Sequence, residues 1–236
     1  MQNIQYKESP SPHVIIENFL PIPAARACLT EAQWVEPVFE QAHTVGTPHV
    51  SEGDECEECR LEIQNMKLAI RSNDVVYLDT YYKGKRDTSV ILAQLEYAFK
   101  STELHKVFQK LPHTFPILNQ TTHMETILSA YGMCDFYGWH TDSSRTSPRR
   151  FITCVLHFNT EPQKYEGGEL ILAGDTIEDQ LPYKPVHNTA IFFESSKCVH
   201  AVGETRHEGA FKDSRFSINL WLGFNADEGD NQYKYR

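Results

Sequence analysis

The sequence predicts an α+β fold in which a double-stranded β-helix, or jelly roll, carries N-terminal helices packed on one of its sheets. Before Pro116 the apolar residues recur mainly at helical spacing, and after it the spacing changes to two. The later segments are short, rich in β-branched and aromatic residues, and separated by turn residues, as in an all-β sandwich or barrel. Alternation within these segments gives one apolar and one polar face, which is typical of a sheet covered on one side only.

The length of the chain predicts a single domain. With 236 residues, of which 40% are hydrophobic, it has enough apolar material for one well-filled core. Within a domain of residues 1–236 we predict a helical support region over 1–120 and the jelly-roll core over 121–224.

The support region begins with a predicted strand at 13–18 and a helix at 21–34, which has prolines in its first turn. Residues 36–60 contain prolines, glycines and an acidic run, so we predict a mobile surface loop there. Two amphipathic helices follow from residue 87, and Ser101 is the predicted N-cap of the second.

Period-two segments make up the predicted core. They are residues 121–131, 134–142, 150–159, 168–173, 188–195, 198–204 and 214–224. The last segment carries Arg215, Ser217, Asn219 and Trp221 on one face and Phe216, Ile218, Leu220 and Leu222 on the other. We expect the helices to cover the apolar face and the polar face to line an interior that holds a ligand.

Charge and cysteine usage exclude several classes of partner. The net charge of −10 argues against nucleic acid or an anionic membrane, because such surfaces are bound through basic patches. The first 20 residues do not resemble a signal peptide, and no apolar run approaches the length of a membrane span. The six cysteines are too dispersed for a disulfide framework, so we predict a cytoplasmic protein.

Three residues have the chemistry and spacing of a metal site. His140 and Asp142 lie two residues apart in a predicted strand, so their side chains share a face, and His200 lies in another predicted strand. Two imidazoles and one carboxylate form the facial triad that leaves coordination positions open on non-haem iron(II). His187 and His207 compete with His200 for the third position, but both have loop-like surroundings.

Arg215 is the candidate carboxylate-binding residue. A guanidinium pairs bidentately with a carboxylate, and no acidic residue shares its strand face up to Trp221. Ser217 lies two residues further on the same face. Arg206 is a weaker alternative because its neighbours indicate a loop.

These residues occur in an order that resembles a known family. His140-Thr-Asp142, Gly167-Gly-Glu-Leu170, His200 and Arg215-Phe-Ser217, followed by Trp221, are similar to the catalytic core of the iron(II)/2-oxoglutarate dioxygenases. The resemblance is strongest to the prolyl 4-hydroxylase branch and covers about residues 120–224. The helical region before it carries no motif of its own.

The resemblance implies roles for the site residues. His140, Asp142 and His200 would bind Fe(II), and Arg215 the far carboxylate of 2-oxoglutarate. The co-substrate pocket would include Ser217, Trp221 and also Tyr131, which matches an aromatic position on the first core strand. His157 stands where the prolyl hydroxylases place a tyrosine that contacts the same carboxylate, and it departs from that pattern.

The reaction implied is hydroxylation of an unactivated C–H bond by O2, with decarboxylation of 2-oxoglutarate to succinate and ascorbate as reductant. Asp142 distinguishes the chain from the family's halogenases, which lack this carboxylate. The substrate would be a prolyl or similar group in a peptide or a small molecule. Alternatives are a natural-product or free amino-acid hydroxylase and a jelly-roll metal- or ligand-binding module without turnover. Arg215 argues against the last, because a protein that only binds metal has no need of a carboxylate-binding residue opposite the ion. The oligomeric state stays open.

Two further groups of residues have an ordinary explanation. Cys56 and Cys59 form one CxxC pair in the acidic loop, and free thiols are favoured there over a zinc site, which would need two more ligands. Arg145, Arg149 and Arg150 follow the metal carboxylate and either select an anionic substrate group or form a solvated basic loop.

Overall fold

The structure, a computed structural model, describes residues 3–42, 71–143, 150–174, 176–207 and 209–224. Its helices are α1 (Ile22–Trp34), α2 (Leu78–Tyr81), α3 (Val90–Phe99) and α4 (Thr102–Phe108). Its strands are β1 (Asn3–Lys7), β2 (His13–Glu17), β3 (Glu40–Gln41), β4 (Arg71–Ser72), β5 (Asp74–Tyr77), β6 (His123–Tyr131), β7 (Phe136–His140), β8 (Arg150–Phe158), β9 (Glu166–Gly167), β10 (Leu170–Ala173), β11 (Gln180–Tyr183), β12 (Thr189–Glu194), β13 (His200–Val202), β14 (Thr205–Arg206) and β15 (Arg215–Gly223).

The described strands form two main antiparallel sheets. The larger has the order β1-β2-β12-β8-β15-β6-β5-β3, and the smaller has the order β11-β10-β13-β7-β4. A two-stranded ribbon of β9 and β14 is separate from both. This strand-rich arrangement with a few helices is compatible with the jelly roll predicted from the sequence.

One face of the larger sheet packs against the helices. Phe216, Ile218, Leu220 and Leu222 of β15 are all fully buried in the main apolar core, as their alternation predicts. The same core contains Ile91 and Leu95 of α3, which recur at helical spacing. The helices therefore cover the apolar face, and the opposite face is turned toward the smaller sheet.

Polar side chains fix the ends of these helices. The hydroxyl of Ser101 accepts a hydrogen bond from the backbone N–H of Leu104, which confirms it as the N-cap of α4. The carboxylate of Glu31 on α1 accepts a bond of 2.6 Å from the backbone N–H of Ile91, in the first turn of α3. This bond joins the two longest described helices at the point where α3 begins.

The support region contains more strand than the sequence predicted. Strand β2 was expected, but β1, β3, β4 and β5 were not, and they extend the two main sheets at their edges. Residues 36–42 form a short 3-10 helix and strand β3, so the predicted loop is wrong for that part. Residues 43–60, with Cys56 and Cys59, lie outside the described residues. Within the described ranges, no helix has both the length and the apolar character needed to cross a membrane.

Candidate metal centre and co-substrate pocket

The pairing of β7 with β13 brings two histidines together. His140 and His200 are direct cross-strand partners, and their ring centroids are 4.1 Å apart. A carboxylate oxygen of Asp142 lies 3.7 Å from Nε2 of His140, and the other lies 3.4 Å from Nε2 of His200. The three candidate ligand atoms lie within 4.8 Å of one another, close enough to hold a single ion.

Asp142 reaches this site differently from the way its spacing predicted. Strand β7 ends at His140, so Asp142 is not in the strand. Its backbone N–H donates to the carbonyl of Ser195 at 2.9 Å, and its carboxylate accepts a bond of 2.7 Å from the hydroxyl of Thr153. The carboxylate is therefore positioned by contacts with the larger sheet and the turn after β12.

Backbone carbonyls select the tautomer of both histidines. Nδ1 of His140 lies 2.8 Å from the carbonyl of Gly138, and Nδ1 of His200 lies 3.1 Å from the carbonyl of Cys198. A carbonyl only accepts, so each Nδ1 carries the proton and each Nε2 has a free lone pair. This arrangement is the usual second contact of a metal-binding histidine.

The charges of the cluster also suit a cation. Burial and the neighbouring His200 lower the pKa of His140 well below its usual range, so its imidazole is neutral at physiological pH. Burial raises the pKa of Asp142, but His200 and His140 outweigh it, and the net pKa of this carboxyl is lowered. A neutral His140 imidazole and an ionised Asp142 carboxylate are the protonation states in which these two side chains bind a metal ion.

The two alternative histidines, His187 and His207, lie outside this cluster. Nδ1 of His187 accepts a bond of 3.2 Å from the backbone N–H of Asn159. His207 is buried, and its ring lies against Gly209. Within the described ranges, only His140, Asp142 and His200 form a group of potential metal ligands.

Arg215 is fully buried on the face of β15 that is turned away from the helices. Its Nε donates to the carbonyl of Gly168 at 2.7 Å, and Nη1 donates to the hydroxyl of Ser217 at 3.1 Å. The guanidinium lies over the ring of Tyr131, with the central carbon 4.6 Å from the ring centroid. Nη2 has no partner among the described residues. A buried guanidinium that lacks a carboxylate partner needs an anion.

Two glycines allow the chain to pass beside this arginine. Both Gly167 and Gly168 have positive φ, at 75° and 70°. A Cβ at Gly168 would lie 2.7 Å from Cδ of Arg215, and one at Gly167 would lie 2.1 Å from the carbonyl oxygen of Glu204. A side chain at Gly167 would displace the backbone at Glu204, and one at Gly168 would displace the Arg215 side chain itself.

The polar atoms around Arg215 fit a carboxylate. His157 is fully buried, and neither of its ring nitrogens has a partner among the described residues. Burial and the charge of Arg215 lower its pKa far below the usual range, so the imidazole is neutral. The hydroxyls of Tyr165 and Thr205 are also buried without a described partner. These donors together could hold the far carboxylate of a dicarboxylic 2-oxo acid.

Trp221 lies at the metal end of the strand rather than beside the arginine. It is six residues, or roughly 20 Å of strand, from Arg215. Its cross-strand partner is Thr153, which bonds the Asp142 carboxylate. Arg150 stacks on the Trp221 ring at 3.7 Å from the centroid and pairs with both carboxylate oxygens of Glu125. Arg150 is therefore held by the protein, whereas positions 145 and 149 are outside the described residues.

Sequence reasoning missed several residues at the site. The ring of Tyr137 stacks on His140 with centroids 3.6 Å apart, and the guanidinium carbon of Arg71 lies over the Tyr137 ring, 4.4 Å from its centroid. Thr153 and Tyr165 were also missed. Their positions depend on the register between strands and on the path of the loops. Neither can be predicted from the spacing of residues in the sequence.

Comparison with known proteins shows which family the chain resembles. The sequence profile of the 2OG-Fe(II) oxygenase superfamily matches residues 126–223. A PKHD-type hydroxylase of Synechocystis, described as uncharacterized, is 30% identical over 65% of the chain and 54% of its own length. A PKHD-type hydroxylase of Janthinobacterium is 32% identical over 45% of the chain and 47% of its own length. The chain thus spans about half the length of these relatives.

Solved structures share the fold. A Trichoplax adhaerens prolyl hydroxylase, in complex with a hypoxia inducible factor peptide fragment, has a TM-score of 0.60 and 16% identity over 89% of the chain and 83% of that structure. A Pseudomonas putida prolyl-4-hydroxylase has a TM-score of 0.52 and 19% identity over 90% and 92%. Residues 126–223 of the chain are thus similar in sequence to the 2OG-Fe(II) oxygenase superfamily, and the fold is similar to that of prolyl hydroxylases. The cluster of His140, Asp142 and His200 fits the Fe(II) that the description of this superfamily names.

Proposed function

We propose that this protein is an Fe(II)- and 2-oxoglutarate-dependent dioxygenase that uses O2. It would hydroxylate an unactivated C–H bond, in the manner of the prolyl hydroxylases, and decarboxylate 2-oxoglutarate to succinate. The observation that carries the proposal is Arg215, whose buried guanidinium has one unpaired nitrogen among the described residues and lies on the sheet face that also carries Thr153. A protein that only binds metal has no use for such a group. We also propose that residues 1–236 form one oxygenase domain whose core, over 121–224, is a double-stranded β-helix.

Each residue of the site has a separate task in this function. His140 and His200 would offer their Nε2 lone pairs to the iron, and Asp142 would add a charged oxygen. When bound, Fe(II) and 2-oxoglutarate supply the oxidising chemistry with O2. Arg215 would hold the far carboxylate, while Ser217 fixes the guanidinium through its bond to Nη1. Tyr131, His157 and Trp221 are the other residues that we assign to the pocket.

The substrate is proposed from the similar proteins. One structure with the same fold holds a peptide, which supports a prolyl or similar group in a peptide. A hydroxylase of natural products or free amino acids is the alternative. The site residues that the structure describes are compatible with either kind of substrate. We also propose ascorbate as the reductant and a cytoplasmic location, which the free Cys28, Cys134, Cys154 and Cys198 support.

Turnover is tested by following succinate. The protein is incubated with Fe(II), ascorbate and 2-oxoglutarate, and peptides and metabolites are screened for a mass gain of one oxygen. We expect succinate to form in step with one hydroxylated product. If 2-oxoglutarate binds but neither succinate nor a product with one added oxygen forms, the result would favour a metal- or ligand-binding protein without catalytic turnover.

Replacement of Arg215 by methionine tests the co-substrate. Losing a charge-assisted bidentate contact costs about 2–4 kcal/mol, so 2-oxoglutarate affinity should fall roughly 30- to 1000-fold while iron still binds. The iron-to-2-oxoglutarate charge-transfer absorbance, titrated without oxygen, measures this affinity. Arg215→Lys should recover only part of the loss, because an ammonium does not match both carboxylate oxygens.

Arg206→Met is the matched control, since that arginine is 62% exposed and pairs with Glu166 at 3.6 Å. It should titrate like the parent protein. A loss in the Arg206 variant alone would move the clamp to that residue. If neither variant differs from the parent, the 2-oxoglutarate assignment fails.

A further inference from the structure

Arg150 and Glu125 form an ion pair that has no task in the proposed function. Nε of Arg150 donates to one carboxylate oxygen of Glu125 at 3.1 Å, and Nη2 donates to the other at 2.6 Å. The two side chains are 19% and 32% exposed, so the pair is partly buried. An arginine whose charge is balanced by both oxygens of a carboxylate has little attraction for an anionic substrate group. Its role is therefore within the protein.

The ion pair lies across the strand that carries Trp221. Arg150 belongs to β8 and Glu125 to β6, and these two strands flank β15 in the larger sheet. Adjacent strands are about 4.8 Å apart, so the two side chains together bridge roughly 10 Å. Trp221 is the direct cross-strand partner of Glu125, and the guanidinium carbon lies 3.7 Å from the centroid of its ring. The pair thereby covers the Trp221 ring.

The same guanidinium contacts the backbone of a candidate metal ligand. Nη1 of Arg150 donates to the main-chain carbonyl of Asp142 at 3.2 Å. Asp142 lies beyond the end of β7 at His140, so its peptide groups are not part of a strand ladder. Its N–H donates instead to the carbonyl of Ser195, and its own carbonyl accepts from Arg150. These two bonds fix the backbone of Asp142, whereas Thr153 fixes the carboxylate.

Glu125 sets the direction of the guanidinium. The N–H donors of arginine lie in one plane in a fixed arrangement, so a bidentate bond from Nε and Nη2 directs Nη1 to another side. In this orientation Nη1 reaches the Asp142 carbonyl. Without the charge of Glu125, the partly exposed Arg150 side chain would turn toward water, and the bond to Asp142 would be lost.

We propose that Glu125 and Arg150 are positioning residues for the metal centre: Glu125 holds Arg150 over Trp221, and Arg150 fixes the backbone of Asp142. The inference rests on the metal site of the proposed function and deepens it. It assigns Arg150 to the support of a metal ligand instead of the selection of an anionic substrate, which was one of the roles that its position in the sequence indicated.

Binding of Fe(II) alone, measured by calorimetry without oxygen, tests the effect on the metal centre. Arg150→Met removes the guanidinium and keeps a long side chain, so iron affinity should fall roughly 10-fold, as for other residues that support a metal ligand. Glu125→Gln should lower it roughly 3- to 10-fold, because a neutral amide does not form two charge-assisted bonds. The double variant should bind iron no more weakly than Arg150→Met, since Glu125 acts through Arg150.

Glu166→Gln is the matched control. Glu166 also pairs with an arginine, Arg206, but both side chains are exposed and lie on the separate ribbon of β9 and β14. This variant should bind iron like the parent protein. The proposal is overturned if Arg150→Met also binds iron like the parent, or if the losses in Glu125→Gln and Arg150→Met add in the double variant.

Tryptophan fluorescence reports the position of Arg150 without any metal. The chain has three tryptophans, of which Trp34 and Trp139 are 70% and 37% exposed and Trp221 is 7% exposed. With Trp34 and Trp139 replaced by phenylalanine, the emission comes from Trp221 alone. Glu125→Gln should shift this emission to longer wavelength and increase its quenching by acrylamide, because the guanidinium no longer covers the ring. An unchanged spectrum overturns the role of Glu125.

Stability separates positioning from a structural role. A partly exposed ion pair contributes little to stability, so the urea midpoint of metal-free Glu125→Gln should stay close to that of the parent. A large fall in this midpoint would mean that the pair supports the fold, and the proposal would then be wrong. The proposed function fails separately, if the parent protein binds Fe(II) but not 2-oxoglutarate.

Discussion

The two faces of the larger sheet are both largely buried at β8 and β15 but differ in the polarity of their side chains. Phe158 and His157 are neighbours on β8, both fully buried, and point to opposite faces. The Phe158 face packs against the helices and consists of apolar side chains. The His157 face carries Arg215 and includes polar atoms that have no described partner. The first face stabilises the fold throughout. The second also has apolar clusters, such as Val155 with Leu170 and Leu172, but around Arg215 and His157 it has lost hydration that a ligand would replace.

The largest expected effect on stability comes from the helix-covered face. Phe158→Ala should lower the free energy of unfolding by about 3–5 kcal/mol, because it removes a buried aromatic ring and leaves a cavity. His157→Leu, one residue away and equally buried, should change it by no more than about 1 kcal/mol in the ligand-free protein, because two unpartnered nitrogens are lost. Urea denaturation of both variants measures the difference. Equal losses would show that the two faces support the fold alike.

The metal ligands should affect binding but not folding. His200→Ala should weaken iron binding by more than the roughly 10- to 100-fold that loss of a supporting residue costs, because one of three ligands is removed. Stability of the metal-free protein should stay within about 1 kcal/mol of the parent. Anaerobic calorimetry and denaturation check the two expectations.

His207→Ala is the control for the third ligand, since that ring lies against Gly209 rather than in the cluster. Unchanged iron binding in His200→Ala, with loss in His207→Ala, would mean that the ligand set is misassigned. Loss of folding in the metal-free His200 variant would instead mean that this residue belongs to the stabilising part of the sheet.

The alternation of side chains along single strands explains why the difference between the two faces of the larger sheet could be predicted from the sequence. The polar and apolar faces of β15 follow from period two, so both the arginine and the apolar residues beside it could be assigned to their faces. The pairing of His140 with His200 is different, because it depends on the register between two strands separated by about 60 residues. The sequence suggested that both belonged to one site, but not that they lie directly opposite each other.

Other features of the site cannot be predicted from local sequence patterns. Asp142 is held by Thr153, 11 residues further along, and by the carbonyl of Ser195, much further along, and no local pattern indicates either contact. Tyr165 sits in a segment with no regular period, so its burial results from the path of the loop. The unpredicted strands β3 and β4 have two residues each, too few for alternation to be recognised.

The smallest expected effect concerns the pH dependence of stability. Burial, with the charge of Arg215, lowers the pKa of His157 far below the ordinary histidine value of about 6.5. As the pH falls below 6.5, the unfolded chain takes up a proton at this position and the folded protein does not. The unfolded state is thereby favoured, and stability that is present above pH 6.5 is lost, at up to about 1.4 kcal/mol per pH unit for one group.

His157→Leu removes this contribution. Between pH 7.5 and 5.5 the ligand-free variant should lose roughly 1 kcal/mol less of its free energy of unfolding than the parent loses. His13 and His187 also have lowered pKa values through burial, and they continue to destabilise both proteins in acid. The difference between the two pH profiles, measured by urea denaturation, isolates His157. Parallel profiles would mean that His157 takes up its proton in the folded protein, so that this face of the sheet would be better hydrated than its buried, unpartnered nitrogens indicate.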